Sequence, residues 1–256
     1  MKPFLLLSTR PEDEAAAGEL ASVRSLAGLG TDELVQIRVE VAPLTRLDPA
    51  DYAGVFLGGG PFNSSDSPKE ALQLRVEQDL GVIIDEVLER ELPFLGLCYG
   101  IGALSSRIGG LVDRRFGEPA GVTTVQLTDA GRVDPLFAGV PDDFAAFVGH
   151  KEAARRLAPE AVLLASGAAC PVQAFRFGPR AYATQFHPEL DPHGMASRIR
   201  IYSSAGYFPP ETTEELVEQV SNAVISPEVH LVLSNFVALS RQHEASLICS
   251  TPSAHR

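Results

Sequence analysis

A chain of 256 residues, 45% of them hydrophobic, is long enough to bury one large core, and its net charge of −12 excludes a nucleic-acid surface built from clustered Lys and Arg. The adjacent basic residues Arg114-Arg115 and Arg155-Arg156 read as solvated pairs. Three cysteines, Cys98, Cys170 and Cys249, with no Cys-x-x-Cys spacing, exclude a disulfide framework and point to a reducing, cytoplasmic setting.

The chain opens on the apolar run Phe4-Leu5-Leu6-Leu7, which is too short for a signal sequence and leads into acidic Glu12-Asp13-Glu14. No segment approaches the ~20 apolar residues of a membrane span, so no membrane partner is expected. Strand-like and helical stretches then alternate: strand 4–8, helix 12–29, strand 34–41, strand 54–57, helix 69–91 and strand 94–97. Such alternation predicts βαβ units around a mostly parallel sheet covered on both faces. Ser67-Pro68-Lys69-Glu70 offers an N-cap, a helix-starting proline and a capping-box glutamate, and Ser226-Pro227-Glu228 repeats the cap and proline. Between about 111 and 185 the texture changes to short β-rich pieces at 122–127, 144–148, 162–165, 172–177 and 181–185, read as hairpins or antiparallel additions. Helical patterns return at 194–207, 213–223 and 228–242, and residues 243–256 read as a flexible tail. One domain, residues 1–242, of three-layer α/β/α architecture with an antiparallel β-rich insertion is the expectation.

Within that frame Gly96-Leu97-Cys98-Tyr99-Gly100 carries the most chemistry. A cysteine flanked by glycines, between an apolar strand and a helix-compatible segment, is how a nucleophile is mounted on a sharp strand-to-helix turn. The first turn of the following helix offers unpaired N–H groups that favour thiolate over thiol. A small buried hydrophobe between glycines is the bland alternative. A nucleophilic thiol needs a base and a group to orient it, and Gln185-Phe186-His187-Pro188-Glu189 supplies both. Pro188 biases His187 towards extended backbone, where residues two apart project to one side, so Glu189 can hold one ring nitrogen while the other faces the thiol. His187, Glu189 and His193 also allow a metal reading, but their spacing matches no familiar zinc geometry. A third feature is Leu57-Gly58-Gly59-Gly60-Pro61, whose backbone N–H groups, Gly59 or Gly60 with Tyr99, could form an oxyanion hole.

In this order, the Gly-Gly-Pro, Gly-x-Cys-x-Gly and His-Pro-Glu pieces resemble the class I, or triad, glutamine amidotransferases, over a span from the first strand to the helix holding Asn235-Phe236. Gly149-His150-Lys151-Glu152 is similar to a segment of stand-alone members akin to the glutaminase domain of GMP synthase. The resemblance implies that Cys98 attacks the carboxamide of glutamine, His187 moves the proton to departing ammonia, and Glu189 orients the imidazole. A γ-glutamyl thioester would form and water would release glutamate, with no cofactor and no metal. Gly102, His150 and Gln185 are the implied substrate contacts. Gly102 departs from the family, where glutamine is common, and the glycine would leave room for something larger than glutamine. The implied partners are a small-molecule substrate, glutamine or a γ-glutamyl compound, and a separate ammonia-acceptor enzyme. A γ-glutamyl peptide hydrolase and a non-catalytic binding protein of the same fold are the alternatives.

Overall fold

The computed structural model describes residues 1–204 and 208–250, with side chains to 247. Its strands are β1 (Phe4–Ser8), β2 (Leu34–Arg38), β3 (Val55–Leu57), β4 (Phe94–Leu97), β5 (Leu111–Asp113), β6 (Glu118–Leu127), β7 (Asp143–His150), β8 (Ala153–Arg156), β9 (Val162–Gly167), β10 (Ala174–Phe177) and β11 (Ala181–Thr184). The helices are α1 (Asp13–Leu26), α2 (Ala71–Glu89), α3 (Tyr99–Arg107), α4 (Asp129–Val133), α5 (Pro192–Ile201), α6 (Thr213–Ser221) and α7 (Leu231–Ser250). A nine-stranded sheet runs in the order β2-β1-β3-β4-β11-β10-β9-β6-β7, and β5 pairs with β8 in a second, two-stranded sheet. From β2 to β11 neighbours are parallel, and from β11 to β7 they are antiparallel.

The alternation of side chains along a strand builds two cores, one on each face. Phe4 and Leu6 of β1 and Phe56 of β3 join Val23 of α1 and Phe236 of α7 on one face. Leu5, Leu7, Val55 and Leu57 turn the other way, onto Val76 and Leu80 of α2 and Leu104 of α3. Helix α2 buries Val76, Leu80, Ile83, Ile84 and Val87, the spacing of one helical face, each worth about 1.5–3 kcal/mol of transfer free energy when fully buried. A third, smaller cluster packs Phe147 of β7 on Leu190, Met195 and Ile199 and on Val217 and Val220 of α6.

Four local outcomes differ from the sequence reading. Strand 181–185 forms the expected antiparallel hairpin, β10–β11, but its other edge lies parallel to β4, with Ala183 opposite Gly96, because the hairpin turns the chain back into the centre of the sheet. Helix α2 starts at Ala71, and Glu70 stands at its N-cap without a side-chain cap hydrogen bond, so Ser67 does not cap it. The helix expected over 194–207 is α5 (Pro192–Ile201), with residues 205–207 outside those described. Helix α7 runs on through residues 243–250, and residues 251–256 lie outside the description. Among the described residues no helix is long and apolar enough to cross a membrane.

Candidate active site

Because β4 and β11 are parallel neighbours, the segments leaving their C-terminal ends emerge side by side, where open α/β sheets collect their ligands. Cys98 leaves β4 and His187 follows β11. Cys98 has φ of 52° and ψ of −93°, a left-handed backbone that costs a non-glycine residue about 1–3 kcal/mol. Its surroundings impose it: the Cys98 N–H donates to Thr184 O at 2.8 Å, and Cys98 O accepts from Ile101 N at 3.1 Å. The flanking glycines are obligatory. A Cβ on Gly96 would lie 2.7 Å from Gly100 O, and one on Gly100 would lie 2.9 Å from Leu57 O. The turn thus closes only without those side chains, and it leaves the thiol partly exposed at the mouth of α3.

His187 is 5% exposed and Glu189 fully buried. The His187 backbone N–H donates to Phe147 O at 2.9 Å, and His230 Nδ1 donates to Pro188 O at 2.7 Å, so the segment is held from both sides. His187 Nδ1 donates to Glu189 Oε1 at 2.7 Å, which leaves Nε2 for chemistry with the neighbouring thiol. Gly59 lies between the two groups: a Cβ there would stand 3.6 Å from both Cys98 Cβ and His187 Cε1. Burial works against a charged imidazole, but Glu189 and Cys98 outweigh it and raise His187 to about 9. Burial likewise opposes the Glu189 carboxylate, and His187, with Arg198 behind it, holds it down at about 2.

Behind this pair lies a buried charge network that the sequence did not announce. Arg10 Nε donates to Glu19 Oε1 at 2.9 Å, Arg10 Nη1 donates to Tyr202 Oη at 3.0 Å, and Ser8 Oγ donates to Glu19 Oε2 at 2.8 Å. Arg198 of α5 stands 3.5 Å from Glu189 and 3.8 Å from Glu19. Burial and then Arg10 lower the Arg198 guanidinium, with Glu189 and Glu19 pulling the other way.

Gly60, Tyr99, Gly102, His150 and Gln185 all line one cleft that opens beside Cys98. Gln185 is 1% exposed, and its Oε1 has no hydrogen-bond partner. His150 spends both ring nitrogens inside the protein, on Glu152 O at 2.8 Å and Glu118 Oε2 at 3.1 Å, so it supports the cleft wall. The room expected beside Gly102 is filled. A Cβ at Gly102 would lie 2.8 Å from Glu152 Oε1 and 2.9 Å from Ser64 Oγ. The Glu152 carboxylate accepts from Ser64 N at 2.6 Å and Ser65 N at 2.7 Å, clamping loop 62–67 over the elbow helix. Gly102→Gln is therefore expected to dislodge the clamp, costing about 1–3 kcal/mol by overpacking. A lower melting temperature together with a higher KM for the amide substrate checks this, and an unchanged KM would contradict it.

His193 sits exposed in the first turn of α5 and forms no ligand group with His187 and Glu189 among the described residues. A second Cys/His/Glu grouping does exist: Glu118, His150 and Cys170 bring one ligand atom each within 4.8 Å of one another, all three buried. Its thiol donates to Val172 O at 3.3 Å, and burial pushes it up to about 12. Gln173 Nε2 donates to Glu118 Oε2 at 2.6 Å, which adds a further internal bond to the cluster. A neutral thiol sealed in hydrogen bonds is a packing group.

The family model described as glutamine amidotransferase class-I matches residues 22–199. The chain is 28% identical over 201 residues to a subunit of the glutamine-hydrolyzing GMP synthase of Thermoplasma volcanium, covering 78% of this chain and 90% of that one. It is 29% identical over 191 residues to the glutamine-hydrolyzing GMP synthase of Streptomyces avermitilis, covering 73% of this chain but 33% of the relative. It therefore spans about a third of that longer protein. A solved glutamine amidotransferase of Thermotoga maritima superimposes with a TM-score of 0.72 at 20% identity, over 94% of this chain and 98% of the other. One of Methylobacillus flagellatus gives 0.67 at 17%, over 93% and 95%, and both show the shared fold. With most of its length matched to that family and Cys, His and Glu side chains gathered at the ends of its central strands, the chain belongs to the class-I glutamine amidotransferases, enzymes of cysteine-dependent amide hydrolysis.

Proposed function

We propose that the chain hydrolyses the side-chain amide of glutamine, or of a γ-glutamyl compound, with Cys98 as nucleophile, His187 as proton carrier and Glu189 as its orienter. The observation that carries this is the partly exposed Cys98 on its left-handed elbow, beside an imidazole whose Nδ1 is fixed 2.7 Å from a buried carboxylate. The Cys98 sulfur attacks the carboxamide carbon, and the oxyanion takes N–H groups from Tyr99, at the unpaired first turn of α3, and from Gly59 or Gly60. His187 gives its proton to the leaving nitrogen as the C–N bond breaks. The γ-glutamyl thioester is then attacked by a water that returns a proton to His187, and glutamate departs as the C–S bond breaks. Gln185 Oε1, buried without a hydrogen-bond partner, supports a role in accepting an N–H from the substrate. The Thermoplasma volcanium relative of similar length is one component of a synthase by name, which supports a separate enzyme as acceptor where ammonia is released.

The test is covalent capture. Incubation with a γ-glutamyl chloroketone is expected to add one mass equivalent, mapped to Cys98 by peptide mass spectrometry and prevented by excess glutamine. A folded protein that takes up no label at Cys98 would remove this reading.

A further inference from the structure

Two clefts meet at Cys98, and they differ in chemistry. The first, already described, holds the oxyanion donor Tyr99 and the carboxamide of Gln185. The second shares Cys98, Gly60 and Gly149 with it but carries His187 on its wall. Resting on the triad assignment, this division orients the substrate: the group that protonates the departing nitrogen faces the second cleft, so the acyl part lies in the first and the leaving group in the second. Ammonia, no larger than water, needs room for the centre of one such molecule, about 10–15 Å³. On the same measure the second cleft offers about 70 Å³, against about 20 Å³ for the first.

Its walls are largely apolar. Ala120, Leu190, Met195, Ile199 and Phe208 line it, with Leu190, Met195 and Ile199 only 2–4% exposed. Between them stand Arg10, which is 3% exposed, and Arg198. Arg198 Nη2 is buried without a hydrogen-bond partner, 3.8 Å from Glu19 Oε1, so its charge is balanced while its N–H groups are unspent. An apolar chamber with an unsatisfied guanidinium nitrogen suits a group that has an apolar body and one carboxylate.

We propose that the second cleft is a leaving-group subsite, and that the preferred substrates are γ-glutamyl amides of apolar α-amino acids, whose free carboxylate is read by Arg198. Attack by Cys98 forms the γ-glutamyl thioester and breaks the C–N bond. His187 supplies the proton that releases the amino acid as a free amine, and water completes the cycle by releasing glutamate.

Glutamate release from glutamine, γ-glutamyl-leucine and γ-glutamyl-leucinamide by the whole chain tests it. The expected order is γ-glutamyl-leucine above glutamine by at least tenfold in kcat/KM, with leucinamide at least tenfold below the free acid. Ala120→Trp, at a half-buried position that projects bulk into the second cleft, is expected to lower the γ-glutamyl-leucine to glutamine ratio at least tenfold. Ile199→Ala widens the same wall and is expected to shift preference towards larger apolar amines such as γ-glutamyl-phenylalanine. Arg198→Gln is expected to erase the preference for acid over amide, a ratio that a general loss of Glu189 orientation would leave unmoved. Glutamine turnover equal to or better than γ-glutamyl-leucine would overturn the subsite while leaving the triad intact. No turnover of any substrate, with no chloroketone adduct on Cys98, would overturn the triad and the subsite together.

Discussion

Cys98→Ala is expected to lower glutamate release by at least about 10⁴-fold, whereas Cys170→Ala lowers the melting temperature but leaves kcat/KM within about threefold. The two sulfurs sit in similar company, each with a histidine and a glutamate nearby, and differ in exposure and in place on the fold. Cys170 is fully buried and its thiol is pushed up to about 12, so almost none of it is thiolate at neutral pH. Cys98 opens to two clefts, stands at the start of α3, and faces a histidine raised to about 9. Alkylation by a slow thiol reagent, mapped by peptide mass spectrometry, checks the same contrast without relying on turnover. Label on Cys170 before Cys98, or activity that survives Cys98→Ala, would move the reaction to the deeper cluster.

The deeper cluster has a structural task that fits its burial. His150 ends β7 and Glu118 begins β6, so their contact ties the two strands together at the end nearest the site. The same histidine holds Glu152 O, and the Glu152 carboxylate holds Ser64 and Ser65. Strand pairing, cleft wall and the loop over the elbow helix are thereby joined through one buried chain of hydrogen bonds.

What could be read in advance was whatever lay within a few residues along the chain. The elbow announced itself because the strand, both glycines and the first helical turn are contiguous, and the His187–Glu189 pair because two extended residues share a side. The first strand was legible as an unbroken apolar run, the pattern of a strand buried on both faces: Phe4 and Leu6 face one core while Leu5 and Leu7 face the other. Pairing between distant segments carries no such local mark. Nothing in residues 181–184 shows that a strand closing a hairpin with β10 also pairs parallel with β4, since both edges accept the same small and aromatic residues. Arg10, Glu19 and Arg198 look like ordinary surface charges near β1 and in α1 and α5 until the fold buries them together. Gly102 suggested an opening because a missing side chain is visible in sequence, but the carboxylate that fills it comes from residue 152.

Glu189→Gln is expected to reduce kcat/KM roughly 10²–10⁴-fold and to move the alkaline limb of the pH profile down by more than a unit. In the wild type the imidazolium survives burial because Glu189 and Cys98 raise His187 to about 9, so activity that needs a protonated His187 falls as pH rises through about 9. Removing the carboxylate charge leaves burial to act with only Cys98 against it, and the limb drops towards or below the ordinary value for histidine. The linkage to folding has a definite sign. A histidine raised from 6.5 to about 9 stabilises the fold fully below 6.5 and loses that contribution as pH rises through 9. A carboxyl lowered from 4.5 to about 2 stabilises fully above 4.5 and loses its contribution as pH falls through 2. The ion pair is therefore worth most between about 4.5 and 6.5, and the two titrations belong to the pair as a unit. Melting temperatures across that range should show the wild type losing its advantage over Glu189→Gln on both sides of the window. An alkaline limb that stays near 9 in the variant would show that His187 takes its charge from another partner.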